Sequence, residues 1–201
     1  MNRLISSLVI AATTLFIASP SFAQRQRMSP HDTISGVISG DRVMIVYGRP
    51  HTIKPGTTEV RKIWGGLVPY GKIWRTGADE ATLMIVQEPI AFGSTVIPTG
   101  CYSLWTLPNE GGTAELIINK QIGQWGEDPA DPTNDKAPNK VYDPSQDVAR
   151  IELKKSDLDK TVDQFTMAVA HDPDVQGGGL IELKWENTQY AAPFTVAKPQ
   201  Q

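Results

Sequence analysis

Three runs late in this chain alternate apolar and polar residues with a period of two. Ile151 and Leu153 alternate with Arg150, Glu152 and Lys154. Phe165, Met167 and Val169 alternate with Gln164 and Thr166. Ile181, Leu183 and Trp185 alternate with Glu182, Lys184 and Glu186. That period places the apolar side chains on one face of an extended strand and the polar ones on the other. Tyr190, Ala192, Phe194 and Val196 repeat the pattern, and Pro193 among them predicts an edge position or a bulge. Earlier runs, Arg42 to Tyr47 and Thr82 to Val86, read as central strands covered on both faces. Cys101 to Leu107 lies between Gly100 and Pro108, and Glu115 to Ile118 follows a Gly111-Gly112 turn. No window has a helical period, and only Ser156 to Lys160 reads as a single helical turn, with Ser156 as its cap. The expected fold is all-β, an antiparallel β-sandwich of roughly eight to ten strands, with a jelly roll among the arrangements it allows.

The first residues are of another kind. Arg3 precedes an apolar stretch from Leu4 to Ala18, then Pro20 and the small-x-small triplet Ser21-Phe22-Ala23. Charge, short apolar stretch and small cleavage site form a secretory signal, with cleavage expected near Ala23-Gln24. The apolar stretch is too short for a spanning helix, which needs ~20 residues. The expected location is therefore the periplasm or the medium. The mature chain then holds 178 residues, with 24–32 a loose polar leader and 33–197 one domain. It carries 18 basic and 22 acidic residues, a balance that argues against nucleic acid as a partner. No second apolar run is long enough to span a membrane. Cys101 is the only cysteine, so the domain has no internal disulfide, and a buried position is expected for it.

Two stretches break the strand pattern. Residues 123–147 hold four prolines and five aspartates and read as a long acidic loop. Asp128, Asp131 and Asp135 within it offer hard oxygens, but their spacing is not that of a calcium-binding loop. Ile63 to Ala81 is rich in glycine, tryptophan and charge. Trp64, Tyr70 and Trp74 offer apolar ring faces, and Arg75, Asp79 and Glu80 offer charge. Rings beside Arg and carboxylates suit a saccharide or another small ligand. The same residues suit a structural plug, with Arg75 paired to Asp79 or Glu80 and the tryptophans closing the end of the sandwich. Tyr47, Arg49 and His51 would share a face if their strand continued that far, which makes Tyr47 and His51 further candidates, His51 as a general base. His31 and His171 read as isolated. The chain has no Gly-x-Ser-x-Gly, His-Glu-x-x-His, Cys-x-x-Cys or phosphate-binding glycine loop. No metal site or cofactor is expected.

The stretch from Ile63 to Thr82 resembles a family known as domain of unknown function 2911. Pro98-Thr99-Gly100-Cys101-Tyr102-Ser103-Leu104-Trp105-Thr106-Leu107-Pro108 is similar to its P-x-G-x-Y-x-L-x-T-x-P segment. Asn119-Lys120 followed by Gln124-Trp125-Gly126, and Leu183 to Thr188, resemble its N-K…Q-W-G and L-x-W-E-N-T segments. The resemblance spans about residues 28–197. It implies an exported bacterial protein and carries over no catalytic residue.

Three functions follow from this reading. The first is a non-catalytic module that binds a saccharide or other small molecule, or a protein. The second is an extracytoplasmic hydrolase with its site at Arg75, Asp79 and Glu80. The third is an envelope-assembly protein that pairs through an edge strand at Tyr190–Val196.

Overall fold

The computed structural model describes residues 29–125 and 141–197. The stretch read as a secretory signal and Asp128, Asp131 and Asp135 lie outside the described residues. Among the described residues the chain forms nine strands: β1 (His31–Ile38), β2 (Asp41–Gly48), β3 (Thr82–Val86), β4 (Ile90–Phe92), β5 (Thr95–Ile97), β6 (Gly100–Pro108), β7 (Ala114–Asn119), β8 (Asp147–His171) and β9 (Gly178–Val196). Every ladder is antiparallel, in the order β1-β2-β3-β6-β7-β8-β9-β4-β5. The fold is all-β and sandwich-like, as the alternation predicts.

The long strand β8 turns the sheet into two layers. Its first residues, to Leu153, pair with β7, and from Lys154 onward it pairs with β9. The register slips between Asp157 and Thr166, and such bulges bend a strand and strengthen its twist. The curl brings β1 and β2 against β8. Gly36 of β1 lies so close to β8 that a Cβ there would stand 2.7 Å from the Val169 carbonyl oxygen. Just beyond β2 the backbone bonds directly to β8, with Phe165 N–H donating to the Pro50 carbonyl at 2.8 Å and Thr52 N–H to the Asp163 carbonyl at 2.8 Å.

The core lies between the layers. Val43, Ile45 and Tyr47 meet Met84, Leu104, Leu116, Phe165, Met167, Leu183 and Trp185 there, all buried. Each belongs to the apolar face of its strand. A second, smaller cluster sits on the outer face of β6 and β7, where Trp105 and Ile117 are covered by Ala81 and Tyr142. The Tyr142 hydroxyl donates to Asp147 Oδ2 at 2.8 Å and accepts from Arg150 Nη2 at 2.9 Å, while Arg150 Nε also reaches Asp147 at 3.1 Å. Burial first, and the Asp147 hydrogen bond second, push the phenol pKa well above its ordinary value. Tyr142→Phe keeps the ring and loses this link, so it should lower stability by about 1–2 kcal/mol in urea unfolding.

Four sequence expectations need correction. Ser156 to Lys160 is strand, not a helical turn, because it belongs to the bend of β8. His31 and Asp32, read as leader, open β1. Cys101 is exposed. In β6 the core-facing residues are Tyr102 and Leu104, so Cys101 points to the other face, away from the main core. Strand residues Tyr190–Val196 do not form a free edge. Tyr190 and Ala191 pair with β8, and Thr195 and Val196 pair with β4. Pro193 lies in the gap between the two ladders, where its missing N–H breaks neither.

Candidate functional site

The glycine- and tryptophan-rich segment is an ordered plug over one end of the sandwich. Val68 N–H returns to the Ile63 carbonyl at 2.9 Å, and a Cβ on Gly66 would meet the Lys62 carbonyl oxygen at 2.3 Å, so that turn requires glycine. Trp74 then exchanges both backbone hydrogen bonds with Thr106 at 2.8 Å, adding a single strand residue beside β6. Its indole stacks on Trp185 at 5.8 Å and meets Phe165 and Trp64 edge-on at 5.0 and 6.0 Å. Past Trp74 the chain crosses the end of β2 at backbone contact, since a Cβ on Gly48 would stand 2.2 Å from the Ala78 carbonyl oxygen. Thr76 and Asp79 hold left-handed conformations, with φ of 55° and 66°. For a β-branched residue such as Thr76 that backbone is strained. Its hydroxyl is anchored on Thr106 Oγ1 at 2.8 Å.

Beside this plug opens a cleft of about 230 Å³. It is lined by His51, Pro55 and Arg61, from the hairpin that follows β2, by Arg75 and Asp79 from the plug, and by the buried Trp74 and Trp185. The volume falls below the roughly 300–1,000 Å³ usual for drug-sized ligands and suits something smaller.

The cleft holds an oriented imidazole. His51 Nδ1 lies 2.7 Å from Asp163 Oδ2. Asp163 also accepts from the Thr52 backbone N–H at 3.3 Å and from the Thr52 hydroxyl. The hydrogen bond from His51 leads, followed by those from Thr52, in holding the Asp163 carboxyl below its ordinary pKa. An ionised carboxylate only accepts, so Nδ1 carries a proton here, and in the neutral form of the ring Nε2 is the nitrogen with the lone pair. Arg61 fixes the same turn by donating to the carbonyls of His51 and Thr52. On the plug, Asp79 Oδ2 lies 3.0 Å from His31 Nε2, and Glu80 Oε1 lies 3.9 Å from His31 Nδ1. Arg75 Nη1 donates to the Asp79 carbonyl at 3.0 Å and to the Trp125 carbonyl.

Of the residues singled out from sequence, Trp74, Arg75, Asp79 and His51 come together at the cleft. Glu80 stands behind Asp79 against His31. Trp64 packs in the core against Tyr190, and Tyr70 is exposed but does not line the cleft. Tyr47 is buried, its hydroxyl accepting the Met167 N–H at 3.0 Å. Arg61, Asp163, Thr52 and His31 were missed. Asp163 lies 112 residues from His51 and meets it only because the sheet curls closed.

Fold and cleft together define an all-β, sandwich-like domain with a small polar cleft lined by His51, Arg61, Arg75, Asp79 and two tryptophans. The chain belongs to the family described as Protein of unknown function (DUF2911), which it matches over residues 29–194. No curated protein matches it, and no solved structure does.

Proposed function

We propose that this is an exported binding module for a small polar ligand, a monosaccharide or sugar acid in size and chemistry, and that the ligand sits in the cleft beside His51. The observation that carries this reading is that His51, Arg61, Arg75 and Asp79, from two separate segments, line one cavity of about 230 Å³. Donors and an acceptor of that kind suit hydroxyl and carboxylate groups, while the indole base supplies apolar contact. A thermal-shift screen of the mature chain with neutral sugars and uronic acids tests it. A ligand at a hundred times its Kd stabilises the fold by about 2.7 kcal/mol. Leu67 lines the cleft and is exposed, so Leu67→Trp fills the space from outside without disturbing the core. The stabilisation should vanish in Leu67→Trp. A ligand that stabilises both proteins equally binds elsewhere and refutes the reading.

The oriented imidazole favours a second reading, hydrolysis in the same cleft. Nε2 of His51 would take a proton from water as it attacks an ester carbonyl, then return it to the departing alkoxide, with Asp163 holding the ring. This reading predicts turnover of p-nitrophenyl acetate that is lost in His51→Gln. Equal rates in wild type and His51→Gln would leave binding as the function.

A further inference from the structure

A second cleft, of about 620 Å³, lies at the opposite end of β2, where the β1–β2 turn meets the end of β3 and the start of β6. Asp41 lines it and is only 3% exposed. Its Oδ1 accepts the Glu88 backbone N–H at 2.9 Å. Its Oδ2 is shut off from solvent and meets no hydrogen-bond donor. Among the described residues Asp41 enters no ion pair, and no lysine, arginine or histidine lines the cleft. A buried carboxylate oxygen without donor or counter-charge is costly, and a fold that retains one gains by supplying a cation.

The neighbouring groups are of the matching kind. Glu88, exposed at the cleft, offers a second carboxylate. Thr99 adds a hydroxyl, which donates to the Gln87 carbonyl at 3.0 Å and keeps its lone pairs available. Two carboxylates balance a dication, and the oxygen donors are hard, as calcium and magnesium require. Magnesium demands a near-ideal octahedron, whereas calcium accepts an irregular set completed by backbone carbonyls and water. The exposed, adaptable Glu88 and Thr99 suit calcium.

We infer that Asp41 and Glu88, with Thr99 beside them, form a calcium site that ties the β1–β2 turn to the ends of β3 and β6. Oxygen sites with two carboxylates and open water positions bind calcium with Kd on the order of 10⁻⁴ to 10⁻³ M. Calorimetric titration of the chelator-treated mature chain with calcium chloride, beside magnesium chloride, tests this, together with the melting temperature at each concentration. The expected result is one calcium per chain and a rise in melting temperature of about 3–5 °C at ten times the Kd. Glu88→Gln, at an exposed position, should fold normally and weaken calcium binding about tenfold or more. Asp41→Asn should abolish binding, and Glu88→Gln decides the matter if Asp41→Asn fails to fold. Absence of calcium heat and of any melting shift overturns the inference. Calcium binding unchanged in Glu88→Gln overturns it too, because the ion then sits elsewhere.

Discussion

Trp74→Ala should cost the domain about 3–5 kcal/mol, the range for removing a fully packed aromatic side chain. Trp74 is 6% exposed and contacts Trp64, Phe165 and Trp185, which come from the plug, β8 and β9. Its indole N–H donates to the Gly77 carbonyl at 3.2 Å, so the ring also pins the segment that carries Asp79. Alanine leaves a hole that the sheets cannot close, because the backbone of Trp74 is fixed to Thr106 on both sides. A domain of this size loses roughly 2–4 °C per kcal/mol, so its melting temperature should fall by about 10 °C or more. A variant melting within a degree or two of wild type would show that the plug is a detachable loop. Trp74 would then be a ligand platform rather than a structural ring.

Gly48→Ala should be comparably harmful, by about 3 kcal/mol or more, through overpacking rather than a cavity. The new Cβ would lie 2.2 Å from the Ala78 carbonyl oxygen and 2.9 Å from its carbon. Both atoms are backbone, so no side chain can swing aside. Either β2 bends or the 76–80 segment lifts. The segment is the weaker partner, since Thr76 and Asp79 already hold strained backbone. Lifting it moves Asp79 and Arg75 away from His51 and opens the cleft. Amide hydrogen exchange should therefore speed up over residues 76–81 more than in β2. Uniform exchange with unchanged melting would mean that the close approach is not rigid.

Only some parts of the structure were legible in the sequence. The strands of the core were, because a two-residue period is a local signal: Phe165 and Met167, or Ile181, Leu183 and Trp185, declare their buried face without reference to any partner. The plug was legible as a distinctive segment but not as a buried one. Trp64 and Trp74 look alike in sequence whether they stack on a ligand or on Trp185 and Tyr190, and only the closing of the sheet decides. Asp163 was hidden for the same reason. It sits in the irregular stretch of β8, where alternation fails, and its partner His51 lies beyond the end of β2. Ser156 to Lys160 lost its apolar pattern for a related cause. The strand there bends from one layer to the other, and its side chains are mostly in solvent, so a helical turn was an equally good local account. His31 was misjudged with the leader around it, although it lies 3.0 Å from Asp79 and 3.9 Å from Glu80.

The central claim is that the cleft bounded by His51, Arg61, Arg75 and Asp79 is where this protein meets a small polar ligand. The most direct measurement is nuclear magnetic resonance mapping of the domain during titration with the best stabilising sugar or sugar acid. The account predicts saturable shifts at the Trp74 indole N–H, the Arg61 side chain and the His51 ring, with β4 and β5 unmoved, and their loss in Leu67→Trp. Saturable shifts confined to another face, with the Trp74 and His51 signals unchanged, would contradict it.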